Sequence, residues 1–376
     1  MRIAINTRFL LPTKLEGFGW FTHEVTKRIV EQHPEHEFFF FFDRKFDEKF
    51  IYGDNVTPVV INPPARHPFL YYLWFEFGVK KALKKHNIDV FLSPDGYLSL
   101  GSEVKQIPVI HDLSFVHHPE DLPFWNKKYV NYFFPKFAKK ASKIVTVSEY
   151  SKQDIVKSFG IEENKITVAH NGIGDFFSSV SEQKQEATRS KFTEGKAYFL
   201  FVSALHPRKN IVNLFKAFDL FKKETKSEVK LLMVGEKYWW NNEMKQGFEE
   251  LKHKNDIVFT GHIQSDELNA IYSSGLALTY VSYFEGFGIP LVEAMKCELP
   301  IIASNATSLP EVGGEAAIYV NPFSIEDIKN GMKRVFTDDS LRQELIENGK
   351  QRAKQFSWDK TANTVWQTIV EVYENQ

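Results

Sequence analysis

Short apolar runs alternate with amphipathic helical stretches along the whole chain, and the alternation starts again after residue 175. Apolar strands separated by helices are typical of parallel sheets covered by helices on both faces. The alternation therefore predicts two doubly wound α/β domains in tandem, at 1–175 and 176–355. Apolar residues at helical spacing predict a last helix at 356–376, which must pack against another element.

The strand-like runs are short, apolar and end near turns. They are RIAIN, FFFFF, DVFLSP, IPVIHD and KIVTVS in the first half, and YFLFVSAL, VKLLMVG, DIVFTG and LALTYVS in the second. Helices are predicted between them at 20–32, 69–86, 129–141, 149–159, 210–223, 242–252 and from Asp266 onward. The charged stretch 181–196 lacks a strong apolar pattern and is interpreted as a linker with a short helix.

Charge and cysteine content exclude several classes of protein. The formal net charge is −1, so nucleic acid is not expected as a partner. Cys297 is the single cysteine, which excludes an internal disulfide and a multi-cysteine metal site and fits a reducing compartment. Arg8 interrupts the N-terminal apolar run, and no apolar stretch reaches the roughly 18 residues of a membrane span. We therefore expect a cytoplasmic protein.

A glycine turn stands before a predicted helix in EGFGIPLVEAM. Gly286 and Gly288 follow the strand LALTYVS, and Pro290 suits the first helical position. The free amides of such a helix start favour an anion. Glu285 and Glu293 would repel a phosphate, so we interpret them as acceptors for sugar hydroxyls on either side of it. Glu293 as a simple complement to the helix dipole, with Glu285 a solvated loop acid, is the alternative.

Two adjacent cations follow the first strand of the second domain. Arg208 and Lys209 stand between YFLFVSAL and the next helix, where they would neutralise a diphosphate without a metal ion. No Asp-x-Asp pair exists to hold a divalent ion, so no metal and no cofactor is expected. The alternative interpretation is a solvated basic helix start, although cations oppose the dipole there.

The first domain offers a histidine and a second glycine turn. His111 and Asp112 close the strand-like run IPVIHD, at the edge where open α/β sheets bind ligands. Gly17 and Gly19 follow the first strand and precede a helix. A single Gly-x-Gly is weak evidence, and no dinucleotide fingerprint or Walker A sequence is present.

Several motifs together resemble the retaining nucleotide-sugar glycosyltransferases of family 4, which have the two-domain GT-B fold. These motifs are RKN from Arg208, VGE from Val234, FTGHIQSDELNAIY from Phe259, EGFGIPLVEAM from Glu285 and LPEVGGEAAIYVNP from Leu309, with VSEYSK, HNGI and FSWDKTA elsewhere. The resemblance implies two Rossmann-like domains that face a cleft, with the acceptor on the first domain and the nucleotide sugar on the second. It also implies that the final helix crosses back to the first domain.

The resemblance assigns roles to residues. It places Arg208 and Lys209 on the diphosphate, Glu285 and His111 at the donor sugar, and Glu293 on the ribose. The other donor-binding residues that it implies are Gly17, Gly19, Ile263, Gly286, Phe287, Gly288 and Ile289. The chain departs from the family pattern at KCELP, where Glu298 stands in place of a glycine after the motif helix.

These observations predict a metal-independent, retaining hexosyltransferase of polysaccharide biosynthesis. The donor is a nucleotide diphosphate sugar, with GDP-mannose slightly favoured over UDP-glucose because of the His111–Asp112 dyad, and the acceptor is a hydroxyl of a glycan or a lipid-linked glycan. The alternatives are a GT-B-like epimerase or phosphorylase, and a non-catalytic protein that binds nucleotide sugars. Lysines and aromatic residues at 67–85 and 127–143 suggest peripheral contact with the inner membrane face, against the simpler reading of core-facing helices with a solvated basic side.

Overall fold

The computed structural model describes residues 1–12, 15 and 17–375. These residues form two compact units, Met1–Gly172 with Ser357–Gln376, and Ile173–Phe356. Each unit contains a parallel sheet covered by helices, as the alternation of apolar runs predicts. None of the described helices combines the length and hydropathy of a membrane span.

The first unit has a five-stranded parallel sheet with the order β3-β2-β1-β4-β5 and a two-stranded parallel sheet of β6 and β7. The strands are β1 Arg2–Asn6, β2 Glu37–Phe42, β3 Val56–Val60, β4 Val90–Ser93, β5 Lys105–Pro108, β6 Ile144–Thr146 and β7 Ile166–Val168. Its helices are α1 Gly17–Gln32, α2 Pro68–Leu73, α3 Lys80–Lys85, α4 Ser114–His117, α5 Phe124–Lys140 and α6 Glu149–Phe159, with a π-helical segment, Trp74–Val79, that joins α2 to α3.

The second unit has a six-stranded parallel sheet with the order β10-β9-β8-β11-β12-β13. The strands are β8 Tyr198–Val202, β9 Lys230–Val234, β10 Ile257–Gly261, β11 Ala277–Tyr280, β12 Ile301–Ser304 and β13 Ala317–Val320. The helices are α7 Glu182–Thr193, α8 Ile211–Thr225, α9 Asn242–Glu249, α10 Ser265–Ser274, α11 Ile289–Lys296, α12 Leu309–Gly313, α13 Ile325–Thr337 and α14 Asp339–Ala353.

The last helix, α15 Trp358–Glu374, belongs to the first unit and packs against α1. The indole of Trp366 stacks on the His33 ring at a centroid distance of 3.7 Å, and Arg28 pairs with Asp359 at 2.7 Å. A Cβ on Gly172 would lie 2.1 Å from the backbone nitrogen of Trp358, so only glycine allows the chain to pass this close. The apolar spacing that predicts the helix is therefore explained by its burial.

Several elements differ from their predicted bounds. Helix α1 begins at Gly17 rather than residue 20, and α5 begins at Phe124 rather than residue 129 and includes Pro135. The stretch predicted as a linker with a short helix is mostly the twelve-residue helix α7, which packs against α10 and ends where Glu194 adopts a left-handed conformation. Strand β5 ends at Pro108, so His111 lies in the loop beyond it. The ends of elements are the part that a local sequence pattern predicts least well.

Gly235 allows three loops to approach one another at the carboxyl edge of the second sheet. Its amide donates to the Gly261 carbonyl at 2.9 Å, and the Ser203 amide donates to the Val234 carbonyl at 3.0 Å. A Cβ on Gly235, whose φ is +143°, would lie 1.9 Å from the Ser203 carbonyl oxygen. The loops after β8, β9 and β10 are therefore held together by a glycine.

We predict that Gly235→Ala lowers the free energy of unfolding of the second unit by about 3 kcal/mol or more, because backbone atoms must move to admit the methyl group. The corresponding fall in Tm is at least about 6 °C. Gly195→Ala is the matched control, because Gly195 also has a positive φ, of +79°, but no atom within 4 Å of the added Cβ. We expect the control to lose about 1 kcal/mol. Equal Tm values for the two variants by calorimetry would contradict the proposed crowding.

Candidate active site

The order of strands in the second sheet reverses between β8 and β11, and ligands bind at such a point in open α/β sheets. The loop after β8 carries Arg208 and Lys209 in a short 3-10 turn, Pro207–Lys209. The loop after β11 carries Glu285 and the glycine turn. The structure thus brings the two predicted cations next to one of the two predicted acids, although 76 residues separate Lys209 from Glu285.

Glu285 is the common partner of both cations. The ammonium of Lys209 lies 2.5 Å from Oε1 of Glu285, and the Arg208 guanidinium lies 3.1 Å from Oε2. The Tyr280 hydroxyl accepts from Lys209 at 2.6 Å and donates to Oε1 at 3.0 Å. Lys209 and Glu285 are each 6% exposed, so this is a buried, hydrogen-bonded ion pair with a second, more accessible cation beside it.

The two cations keep Glu285 ionised. Burial alone would raise the pKa of the Glu285 carboxyl, but the charges of Lys209 and Arg208 outweigh it and lower the pKa to about 2. Burial raises the pKa of the Tyr280 phenol, and the charge of Glu285 raises it further, so this hydroxyl stays protonated as a donor. With two cations and one carboxylate, the cluster carries a net positive charge.

Backbone hydrogen bonds fix the two loops to each other. The Tyr283 amide donates to the Arg208 carbonyl at 2.9 Å, and the Arg208 guanidinium donates to the Phe284 carbonyl at 3.0 Å. The side-chain amide of Asn210 donates to the Val281 carbonyl at 2.9 Å. Asn210 has φ +60°, which asparagine tolerates better than most residues. The Arg-Lys-Asn sequence is therefore one structural unit.

A third loop holds Glu285 from the side of β12. The Glu285 amide donates to Oγ1 of Thr307 at 3.1 Å, and the Ser308 hydroxyl donates to the Glu285 carbonyl at 2.9 Å. Sequence reasoning missed Tyr280, Thr307 and Ser308. Only the position of Tyr280 at the end of the strand LALTYVS could have suggested a role in the site.

Helix α11 begins at Ile289 immediately after the glycine turn, as predicted. Gly288 has φ +94°, and a Cβ there would lie 2.4 Å from Cδ2 of Leu309. Phe287 is 4% exposed and its ring packs edge-on against Phe356 at 5.5 Å, so a ligand could meet Phe287 only through its backbone. The turn needs glycine at 288 for both conformation and space, and it leaves the first amides of an eight-residue helix at the carboxyl edge of the sheet.

Glu293 lies in the second turn of α11, not in the first turn as predicted, because the helix starts at Ile289 and has no acid in its first turn. The Tyr272 hydroxyl donates to Oε2 of Glu293 at 2.5 Å. Burial raises the pKa of Glu293 to about 7, although the hydrogen bond from Tyr272 favours the ionised carboxylate and lowers the pKa. A carboxyl that is half protonated near neutral pH is a poor complement to a helix dipole. Tyr272 was not predicted from the sequence.

The departure from the family pattern at Glu298 has a structural explanation. Helix α11 ends at Lys296, and Glu298 takes φ +59°, the left-handed conformation in which glycine is usual. The Glu298 carboxylate pairs with Lys350 at 3.1 Å and accepts from the Ser179 hydroxyl at 3.1 Å. The helix therefore ends in the ordinary way, with contacts that offset part of the backbone strain.

Ile263 follows β10 and is half-buried. It lies two residues beyond Gly261, whose carbonyl accepts from the Gly235 amide. Ile263 therefore belongs to the same carboxyl edge as Arg208, on the far side of β9.

His111 lies in the first unit, where its ring is fixed on three sides. Its Nε2 donates to the Pro94 carbonyl at 2.9 Å, because a carbonyl can only accept, and Nδ1 of the neutral ring is then an acceptor. The rings of Phe18 and Phe21 pack edge-on against it at centroid distances of 4.8 and 4.9 Å. Burial lowers the pKa of His111. Asp112 caps helix α4 by accepting from the Ser114 amide at 2.9 Å.

Gly17 and Gly19 occupy the first turn of α1, not a loop before the helix as expected. A Cβ on Gly19 would lie 2.8 Å from the Phe9 carbonyl oxygen, so packing alone explains this glycine. A Cβ on Gly17 would meet no atom within 4 Å. Residues 13, 14 and 16, which precede Gly17, lie outside the described residues.

No group of three or more His, Cys, Asp or Glu side chains in residues 1–12, 15 and 17–375 is arranged to hold a metal ion. The site in the second unit consists of the cations Arg208 and Lys209, the acids Glu285 and Glu293, and the N-terminus of α11.

Two family models match the chain. Residues 182–352 match the model for glycosyl transferases group 1, and residues 16–175 match the model for glycosyltransferase family 4. Together they cover the two units, and the first match includes Arg208, Lys209, Glu285 and Glu293.

Individual proteins agree with the models. The chain is 27% identical over 366 residues to O-antigen chain mannosyltransferase B of Escherichia coli, which covers 94% of this chain and 95% of that protein. Its fold is similar to that of sucrose-phosphate synthase from Thermosynechococcus elongatus, with a TM-score of 0.80, 16% identity and full coverage of both chains. It is also similar to Anabaena HepE in complex with UDP-glucose, with a TM-score of 0.77, 16% identity, and coverage of 99% of this chain and 100% of that one.

The parallel sheets of both units, the two model matches and the near full-length relative lead to one assignment: this chain is a glycosyltransferase with the GT-B fold and belongs to group 1, family 4.

Proposed function

We propose that the protein transfers mannose from GDP-mannose, with retention at the anomeric carbon, to a hydroxyl of a glycan or lipid-linked glycan in polysaccharide biosynthesis. The observation that carries the proposal is the net positive cluster of Arg208, Lys209 and Glu285 beside the N-terminus of α11. A diphosphate is the group that matches two cations and a helix N-terminus, and the adjacent acids match hydroxylated groups.

The diphosphate would replace Glu285 as the partner of the two cations. In the ligand-free cluster one carboxylate neutralises part of the charge of Lys209 and Arg208. A sugar diphosphate adds roughly two negative charges, so the cations can bind it while Glu285 turns its acceptor oxygens to sugar hydroxyls. The proposed reaction needs no divalent metal, because this charge is balanced by side chains and backbone amides.

The reaction step would depend on charge that develops as the sugar leaves. The bond between the anomeric carbon and the diphosphate oxygen breaks, and Arg208, Lys209 and the amides of α11 stabilise the negative charge that forms. The acceptor hydroxyl attacks the same face of the sugar through an ion-pair-like state, and its proton passes to the departing phosphate oxygen.

His111 and Ile263 complete the proposed contacts. A neutral His111 with Nδ1 as acceptor would bind a hydroxyl of the transferred sugar near its anomeric carbon, and the backbone at Ile263 would bind the base. Glu293 would accept from the ribose diol. Gly17 and Gly19 are proposed to approach the phosphates, with Gly17 the better candidate because the space around it is open.

The choice of donor rests on the relative from Escherichia coli, which is named a mannosyltransferase of O-antigen chains, and on the His111–Asp112 dyad. HepE, whose structure contains UDP-glucose, has only the fold in common at 16% identity. We expect GDP-mannose to raise the Tm of the protein more than UDP-glucose, UDP-galactose or ADP-glucose at equal concentration, because a ligand that binds the folded state more tightly stabilises it more, with the logarithm of its affinity. A larger shift with a UDP sugar, measured by differential scanning fluorimetry, would reassign the donor.

Two other functions share the architecture. An epimerase or phosphorylase would act on its substrate without a hydroxyl acceptor, and a binding protein would not turn over. Release of GDP that requires an added acceptor supports the transferase. Tight donor binding without turnover on any member of a broad panel of mannosylated acceptors would favour the binding protein.

The proposed enzyme acts in the cytoplasm, in peripheral contact with the inner face of the membrane, where a lipid-linked acceptor would be held.

We predict that Lys209→Ala lowers kcat at least tenfold, because it removes a preorganised charge from the departing diphosphate. The variant also leaves the buried Glu285 with one cation fewer, so its Tm is measured alongside. Lys222→Ala is the matched control: Lys222 is also buried and ion-paired, with Asp256 at 2.9 Å, but lies at the other end of α8. A near-normal kcat for Lys209→Ala, or an equal loss in the control, would refute the role.

We predict that binding of GDP-mannose strengthens as pH rises from 6 to 8. A ribose diol donates better to a carboxylate than to a carboxylic acid, and a pKa of about 7 means that Glu293 ionises within this range. The ionised fraction rises from about 10% to about 90%, so affinity increases up to about tenfold. Calorimetric titration is the measurement, and Glu293→Gln should bind weakly with no such pH dependence. The same slope in wild type and variant would exclude Glu293 as its source.

A further inference from the structure

The first unit exposes a cluster of aromatic side chains on two neighbouring helical segments, Pro68–Lys85 and Phe124–Lys140. Of the thirteen large hydrophobic side chains that are exposed in the described residues, six lie on these segments. They are Phe69, Tyr72, Phe77, Phe124, Trp125 and Tyr132, with exposures between 40% and 65%. Such a concentration on one part of a unit indicates a binding surface rather than scattered surface residues.

The two segments pack against each other, which brings their exposed rings to one part of the unit. The Tyr71 and Tyr129 rings are in contact at 5.7 Å, and the Tyr72 and Phe133 rings at 6.0 Å. Tyr72 also contacts Phe77 at 6.2 Å. Trp125 and Tyr132 are seven residues apart on α5 and therefore share a face of the helix. We call this set of six exposed rings and the lysines among them the aromatic-basic face.

Lysines lie between the rings. Lys136 places its ammonium 3.4 Å from the centre of the Tyr132 ring, and that of Lys128 lies 5.6 Å from the Phe124 ring. The exposed lysines of the two segments are Lys80, Lys81, Lys84, Lys85, Lys128, Lys136, Lys139 and Lys140. The chain as a whole has a net charge of −1, so this positive charge is local.

Acidic side chains do not neutralise the face. Helix α5 contains no Asp or Glu, and Glu76 is the one acid of Pro68–Lys85. The Glu76 carboxylate accepts from the amides of Leu100 at 2.6 Å and Gly101 at 2.9 Å. Its charge is therefore directed to the backbone of a neighbouring loop and not to the lysines on α5.

We propose that the aromatic-basic face docks on a bilayer rich in anionic lipid, with the rings inserted at the headgroup level and the lysines paired with lipid phosphates. Tyr, Trp and Phe beside Lys are the side chains that stabilise helices lying in the interface of a membrane. A protein partner fits less well, because lysine is depleted in the centre of protein interfaces while aromatic residues are enriched. Only the purpose of this docking rests on the proposed function: it would bring the enzyme to a lipid-linked acceptor.

The face is directly joined to the segment that carries His111. The Phe115 ring of α4 packs on the Phe134 ring of α5 at 4.8 Å, and the side-chain amide of Asn131 donates to the Phe115 carbonyl at 3.3 Å. Helix α4 is in turn capped by Asp112, the neighbour of His111. A lipid surface at α5 would thus meet the unit beside the segment that carries His111.

Flotation of the full chain with vesicles tests the proposal. We expect the protein to float with vesicles containing phosphatidylglycerol, and the bound fraction to fall at least about tenfold with pure phosphatidylcholine or in about 0.5 M salt, because screening weakens charge pairing. Trp125→Ser with Phe124→Ser, and separately Lys128→Glu with Lys136→Glu, should each abolish flotation. Phe323→Ser is the matched control, since Phe323 is 72% exposed but belongs to the second unit.

Three results would overturn the proposal: wild type that stays in the soluble fraction, face variants that float like wild type, and self-association through the face without vesicle binding, detected by analytical ultracentrifugation. The Tm of each variant must match wild type, because these side chains are exposed. GDP release with a short water-soluble acceptor should be unchanged in the face variants. If wild type itself releases no GDP with the water-soluble acceptor, that result counts against the proposed function. Failure of membrane docking and failure of the proposed function are therefore distinguishable.

Discussion

The buried ion pair between Lys209 and Glu285 is the interaction on which the rest of the site depends. A buried charge without a partner costs several kcal/mol, so these residues must meet with good geometry. The structure achieves this with loops from two strands that are adjacent only in the folded sheet. The backbone amide of Tyr283 and the side-chain hydroxyls of Thr307 and Ser308 hold these loops by hydrogen bonds. The result is a rigid pair of cations whose counterion is a carboxylate, a group that a phosphate resembles in charge and in acceptor geometry.

The two acids near the glycine turn have opposite environments, which explains how both are accommodated beside an anion site. Glu285 is surrounded by cations and has a pKa of about 2, whereas burial raises the pKa of Glu293 to about 7. Only one of them therefore carries a full charge at neutral pH. Their repulsion toward a phosphate is smaller than the sequence suggests.

The first unit is built from aromatic packing around a few fixed polar groups. Arg8 pairs with Asp95 at 2.5 Å inside a box of aromatic rings, and Asp95 accepts from the Asn6 side chain at 2.9 Å. The turn that they hold includes Pro94, whose carbonyl sets the tautomer of His111. The abundance of aromatic residues in the composition thus has two uses: a core that positions His111, and the exposed rings of α2 to α5.

The sequence by itself determined the α/β class, the start of α11 and the identity of Arg208, Lys209, Glu285 and Glu293 as candidates. These depend on local periodicity and on residues close together in the chain. Only the tertiary structure decided that Glu285 pairs with the cations, that Tyr272 and Tyr280 complete the two acid sites, that α7 fills most of its stretch, and that Glu298 adopts a left-handed conformation. Ionisation, pairing and close approach such as that of Gly235 depend on burial and on neighbours distant in sequence, and local patterns carry no information on either.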